Sequence, residues 1–148
     1  MPSAANEIHI ARPPAEVFQF LADPENDTRW RSGVLEMKHL SGSGVGARYS
    51  QQVAGPGGRP VRADIEITEF NDGRAIAFQT VTGPVRPRGR YTLSSANGGT
   101  QLRFELDAPV SGIKRLIAPL VQKTMNAEVG RLAKLKEILE EGDQSPSS

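Results

Sequence analysis

Thr124 and Glu128 interrupt the apolar stripe of the C-terminal helical segment, one turn after Val121 and one turn before Leu132. If that stripe faces a core, a hydroxyl and a carboxyl project into it, and burial would raise the Glu128 pKa and make it a proton donor or a hydrogen-bond partner for a bound molecule. If the helix rotates, Glu128 reaches solvent or an arginine instead, in keeping with the rarity of unpaired buried charge. His39 shares the strand parity of Leu35 and Met37 and is a second acid/base candidate, although a histidine at a strand end more often serves structure. His9 has the parity opposite to Ile8 and Ile10 and is expected outside. Tyr49 and Tyr91 add phenolic hydroxyls, so Glu128, His39, Tyr49 and Tyr91 are the catalytic candidates. Arg86, Arg88 and Arg90 form a basic stripe opposite Gly89, Tyr91 and Leu93, which reads as a solvated outer face. With inverted parity, an inward arginine would stabilise a carboxylate or enolate.

Other chemistries are excluded by what the chain lacks. There is no cysteine, which removes disulfides, thiolate zinc sites and thiol nucleophiles together. The two histidines have no acidic neighbours at metal-ligand spacing, so neither a metal nor any other cofactor is expected. The glycine-rich run Gly42 to Gly46 precedes a strand rather than a helix and is a hairpin turn, not a phosphate loop. With 18 basic and 17 acidic residues the net charge is +1, too small to gather nucleic acid or anionic lipid. The N-terminus lacks the basic and apolar regions of a secretion signal, and no run approaches the roughly 18 apolar residues of a membrane span. A soluble, cytoplasmic protein is the expectation.

The elements that would position these residues follow from periodicity. Glu7 to Ala11 alternates as a half-buried strand, Arg12-Pro13-Pro14 ends it, and Val17, Phe18, Phe20 and Leu21 form a short helix, with another turn over Glu25 to Trp30. From Val34 to Leu106 about six alternating runs are separated by glycine-rich turns, which favours an antiparallel meander. Val61 to Ile67 reads as one of these strands. Beyond Gly112 the period becomes helical to about Glu141, with Ser111 as N-cap and either a kink at Pro119 or a separate first turn there. Ile117, Leu120, Val121, Leu132, Leu135, Ile138 and Leu139 share its apolar stripe. The expected arrangement is one α+β domain over residues 6–141, a curved antiparallel sheet covered by this helix, with a disordered tail over 142–148. Trp30, Met37, Tyr49, Gln51, Phe78, Tyr91, Phe104, Thr124, Met125 and Glu128 would then line a mostly apolar interior with a few polar groups, as ligand pockets are lined. Aromatic residues on an inner sheet face are equally ordinary core.

The segments Ile8 to Leu21 (IHIARPPAEVFQFL), Asp23 to Gly33 (DPENDTRWRSG) and Leu132 to Glu140 (LAKLKEILE) resemble, in order and spacing, those of the START-like, helix-grip superfamily. Val45-Gly46 before Ala47 and Gly98-Gly99-Thr100 before the last strand fit the same pattern, and the chain looks like the bacterial polyketide cyclase/dehydrase-like and lipid-transport-like members. The resemblance covers nearly the whole domain. It implies a seven-stranded sheet gripping the C-terminal helix around a cavity, with two short helices after the first strand. Members bind lipids, sterols, plant hormones, quinones or polyketides, and some are aromatase/cyclases. The matching motifs are structural and carry over no catalytic residue. Three functions therefore stand beside one another: a carrier of a small hydrophobic ligand, a cyclase or dehydratase acting by proton transfer on a polyketide-like substrate, and a protein-interaction module.

Overall fold

The computed structural model describes residues 2–83, 85–109 and 116–142. Eight strands form a single antiparallel sheet: β1 (Ser3–Ile10), β2 (Val34–Ser41), β3 (Arg48–Ala54), β4 (Pro60–Arg62), β5 (Ile65–Asn71), β6 (Ala75–Thr80), β7 (Arg88–Ala96) and β8 (Gly99–Asp107). Seven of them run in the order β1-β8-β7-β6-β5-β3-β2, and β4 pairs with β3. Helix α1 (Pro14–Leu21) and a 3-10 helix (Pro24–Arg29) link β1 to β2, and α2 (Ala118–Gly130) and α3 (Leu132–Gly142) close the inner face. This is the expected α+β architecture.

The short connections have local causes. Asn97 and Gly98 both adopt positive φ, 48° and 77°, as a two-residue turn between twisted strands requires, and they join β7 to β8 at the Ala96–Gly99 pair. A side chain at Gly99 would place its Cβ 2.3 Å from the Ile10 carbonyl oxygen, so glycine is what lets β1 lie against β8 here. Pro13 and Pro14 start α1, where a missing N–H costs nothing. Asp23 caps the 3-10 helix by accepting from the Glu25 N–H.

Four details differ from the periodicity reading. The sheet begins at Ser3, which pairs with Asp107, so residues before Glu7 are strand rather than a loose start. The run Val61 to Ile67 is split at Ala63-Asp64, because the Asp64 carboxylate turns in to accept from the Gln51 N–H while its own N–H donates to Thr82. Pro119 lies at the start of α2, and the break falls instead at Arg131, between α2 and α3. There Gly130 weakens the helix, the Arg131 N–H bonds back three residues to Glu128, and the Asn6 side chain donates to the Val129 carbonyl that a continuous helix would have used. Ile117 and Leu120, expected in the buried stripe, are exposed, while Met125, Val129, Leu132, Leu135 and Leu139 are buried. Gly142, read as tail, closes α3; Ser111 and residues 143–148 lie outside the described residues.

The core sits between the concave face of β3 and β5 to β8 and the two helices, with Ile65, Leu102, Phe104, Leu132 and Leu135 almost fully buried. The opposite face carries Arg88–Asp107, Arg90–Glu69 and Arg48–Glu66 pairs, each exposed enough that solvent screening leaves it little weight in stability. Arg88 and Arg90 are therefore outward, as parity requires.

Candidate functional site

The 3-10 helix is the device that brings polar chemistry inside. Its last turn folds tightly, with the N–H groups of Trp30 and Arg31 both donating to the Asp27 carbonyl, at 3.2 and 2.8 Å, and the chain enters β2 directly afterwards. This geometry places Asp27, Trp30 and Arg31 in the interior, all nearly inaccessible to solvent. The Arg31 guanidinium donates through Nη1 to Asp27 Oδ2 at 2.9 Å and through Nε to Glu128 Oε1. Glu128 also takes a bond from Arg131 Nη1 at 3.2 Å. The guanidinium lies over the Phe78 ring, 5.6 Å from its centroid. Glu128 thus meets arginines, the alternative to free projection into the core.

Around this charged group stands a chain of aromatic rings. Tyr91 stacks on Phe104 at 4.4 Å, Trp30 meets both edge-on at 6.2 and 6.1 Å, and Phe78 lies 6.3 Å from Tyr91. Met125 comes down from α2, and Met37 and Gln51 face each other across β2 and β3, all three buried. Gln51 uses its amide N–H to bond the Ala63 carbonyl. Among the described residues, Trp30 Nε1, Tyr91 OH and Gln51 Oε1 are buried with no hydrogen-bond partner. Each such group costs about 1–3 kcal/mol where it stays unpaired.

The remaining sequence candidates fall elsewhere. Tyr49 is buried against His39, ring centroids 5.1 Å apart, but His39 itself is exposed, its ring nitrogen 2.6 Å from the Gly42 carbonyl and its N–H bonded to Glu25. Thr124 is exposed and donates to the Leu120 carbonyl within its own helix. Leu35, expected inward beside Met37, is half exposed because a bulge between Val34 and Glu36 shifts the parity. Among the described residues no group of three His, Asp or Glu side chains is placed to share a metal ion, and no helix is long and apolar enough to cross a membrane.

Burial sets the electrostatics. It pushes the Asp27 carboxyl up to about 6, against the pull of Arg31, with Glu128 and Asp23 adding to the rise. Burial also works against the Arg31 charge but is outweighed by Glu128 and Asp27, so the guanidinium stays ionised. Tyr91 is held well above the usual phenol range by burial, then by Asp27, and remains protonated; Tyr49 moves up more modestly, through burial and then Asp23 and Glu25. A carboxyl whose folded pKa exceeds its unfolded 3.8 favours folding at acid pH, and that contribution is lost as pH rises from about 4 to about 6. Asp64, Glu69 and Glu140 act in the opposite sense, held low by hydrogen bonds from Arg62, Arg90 and Lys136. The expected result is therefore differential: relative to Asp27→Asn, the wild-type melting temperature should fall between pH about 4 and about 7, as read by calorimetry on both proteins.

Residues 1–140 match the family described as polyketide cyclase / dehydrase and lipid transport. The chain belongs to that family. No curated protein matches it significantly. Solved structures share the fold of this family member at low identity. A protein from Thermus thermophilus is 24% identical, with a TM-score of 0.81 over 99% of this chain and 100% of that one. A START superfamily protein from Mycobacterium smegmatis is 17% identical, TM-score 0.75, covering 94% and 97%. The di-domain ARO/CYC StfQ from the steffimycin biosynthetic pathway is 12% identical, TM-score 0.77, covering 96% of this chain and 51% of StfQ. Within this polyketide cyclase / dehydrase and lipid transport member, Asp27, Arg31 and Arg131 escaped the sequence reading. The stretch that holds Asp27 and Arg31, PENDTRWRSG, is polar and reads as solvated; the usable signal was the four-residue spacing of those two residues around the chain's one tryptophan.

Proposed function

We propose that the protein binds a small hydrophobic molecule on the inner face of its sheet, beneath α2, with Trp30, Phe78, Tyr91 and Phe104 as the apolar wall. The observation that carries this reading is the set of buried polar atoms without partners, Trp30 Nε1 and Tyr91 OH on residues that otherwise pack as core and Gln51 Oε1 on a buried polar residue. Unpaired buried groups lower stability, and their retention beside stacked aromatic rings is what a site for a hydroxyl- or carbonyl-bearing apolar ligand requires. Membership of a family described by polyketide cyclisation and lipid transport supports the same class of ligand. Two surface depressions, each about 640 Å³, lie elsewhere, one on the outer sheet face beside Arg88, Arg90 and Arg103, the other between α1 and Phe70. The proposed route of entry is the lifting of α2. Only Met125 and Val129 of that helix are buried, and the break at Arg131 supplies a hinge.

Tyr91→Phe separates a binding role from a packing role. Removing a buried hydroxyl without a partner should leave the free protein as stable or raise its unfolding free energy by roughly 1 kcal/mol, while weakening binding of a hydroxylated polycyclic aromatic probe about tenfold. Thermal unfolding and quenching of the single tryptophan, Trp30, read both effects. A destabilised variant with unchanged probe affinity would contradict the reading.

A second reading has its own support. Proton-transfer chemistry of the cyclase type would use Asp27, whose carboxyl burial pushes up to about 6, with Tyr91 as hydrogen-bond donor to a substrate carbonyl. StfQ, described as a di-domain ARO/CYC, has a domain of this fold. Turnover of a poly-β-ketone that survives in Asp27→Asn would remove this mechanism, and Glu128→Gln tests the remaining interior carboxylate.

A further inference from the structure

We propose that Arg31, together with Trp30 and Tyr91, forms an internal receptor for one anionic oxygen, so that the ligand is an apolar molecule carrying a carboxylate or an ionised enol rather than a neutral lipid. This rests on the interior-site reading above and names the ligand class for it.

The geometry is that of a held but incompletely used cation. Arg31 has five N–H donors, of which Nη1 and Nε are committed to Asp27 and Glu128, while Nη2 makes no hydrogen bond to any described residue. The two carboxylates fix the guanidinium plane over the Phe78 ring, which is a wall of the apolar face. The Phe78 ring under the guanidinium lies 6.3 Å from the Tyr91 ring, and Trp30 meets Tyr91 edge-on, so two further donors without partners, Tyr91 OH and Trp30 Nε1, belong to the same cluster. Three unused donors in one cluster suit an oxygen anion. Gln51 Oε1, a buried acceptor without a hydrogen-bond partner, lies on β3 and suits a separate hydroxyl of the same ligand.

Charge balance gives the site a second property. The groups facing Arg31 are Asp27 from the 3-10 helix, Glu128 from α2, Arg131 from the turn after it and Tyr91 from β7, with Asp23 acting on Asp27 from outside. With Asp27 ionised the two carboxylates cancel the two arginines; with Asp27 protonated the cluster carries one net positive charge. An incoming anion therefore favours the protonated form, and binding takes up a proton at Asp27 wherever that carboxyl was ionised beforehand.

A matched pair of probes, anthracene-2-carboxylate and its neutral methyl ester, tests this by quenching of Trp30 emission across pH about 5 to 8. The carboxylate should bind the wild type with an affinity that is flat below pH about 6 and then falls, approaching tenfold per pH unit, while the ester shows no such slope. Asp27→Asn should abolish the slope for the carboxylate. Arg31→Gln should weaken carboxylate binding by roughly 10–100-fold and the ester far less. Should Arg31→Gln fail to fold, the Asp27→Asn slope decides alone. Equal wild-type affinities for acid and ester, or an acid slope that survives Asp27→Asn, overturn the anion receptor while leaving an interior site in place. Failure of both probes to bind counts against the interior site and the receptor together.

Discussion

Replacing Arg31 by methionine is expected to lower the unfolding free energy by about 3–5 kcal/mol. The arginine is buried, and its removal leaves Asp27 and Glu128 facing each other in the interior with only Arg131 to compensate. The loss measures the stranded carboxylates more than the worth of the ion pairs, so neutralising them should restore stability. Arg31→Met combined with Asp27→Asn and Glu128→Gln should recover most of the deficit, because a buried pair replaced as a unit is often neutral. Chemical denaturation gives the free energies, and for a domain of this size each kcal/mol lost moves the midpoint by about 2–4 °C. A single variant as stable as wild type would mean that Arg31 reaches solvent.

Phe104→Ala should cost a similar amount, about 3–5 kcal/mol, for a different reason. Phe104 is completely buried on β8, a strand paired on both sides, stacked on Tyr91 and touched edge-on by Trp30. Truncation removes both contacts and leaves a void that strands on either side cannot close, since β8 is hydrogen-bonded to β1 and β7 along its whole length. The void lies against the proposed ligand wall, so an apolar aromatic probe should regain part of the lost stability in the variant. Because Tyr91 and Trp30 connect Phe104 to Arg31, the Phe104→Ala and Arg31→Met costs should not add. A cost below about 1 kcal/mol would contradict a packed aromatic wall.

The sheet was legible because its signals are local. Asn97-Gly98 demands a tight turn, and the alternation of Tyr91, Leu93, Leu102, Phe104 and Leu106 survives intact in β7 and β8. Parity failed where a residue was inserted: the bulge at Leu35 moves a leucine outward, and no residue type in that stretch announces it. The end of α2 failed for a tertiary reason, since the Asn6 side chain that takes the Val129 carbonyl lies 123 residues away in sequence. Ring-bearing members of the site, Trp30, Phe78, Tyr91 and Phe104, were visible as inward aromatics. Its charge was not. Asp27 and Arg31 sit in a polar segment whose inward turn is set by backbone bonds to the Asp27 carbonyl, and their partner Glu128 comes from the far end of the chain.

The central claim is that the inner face holds a small hydrophobic molecule. Native mass spectrometry of the protein purified gently from the cells that make it tests that claim most directly. A stoichiometric adduct, released on denaturation and identified as an apolar molecule bearing hydroxyl, carbonyl or acid oxygen, is the predicted result. A spectrum of bare protein, from a sample whose Trp30 emission and melting temperature ignore a panel of lipids and polycyclic aromatics, would contradict it.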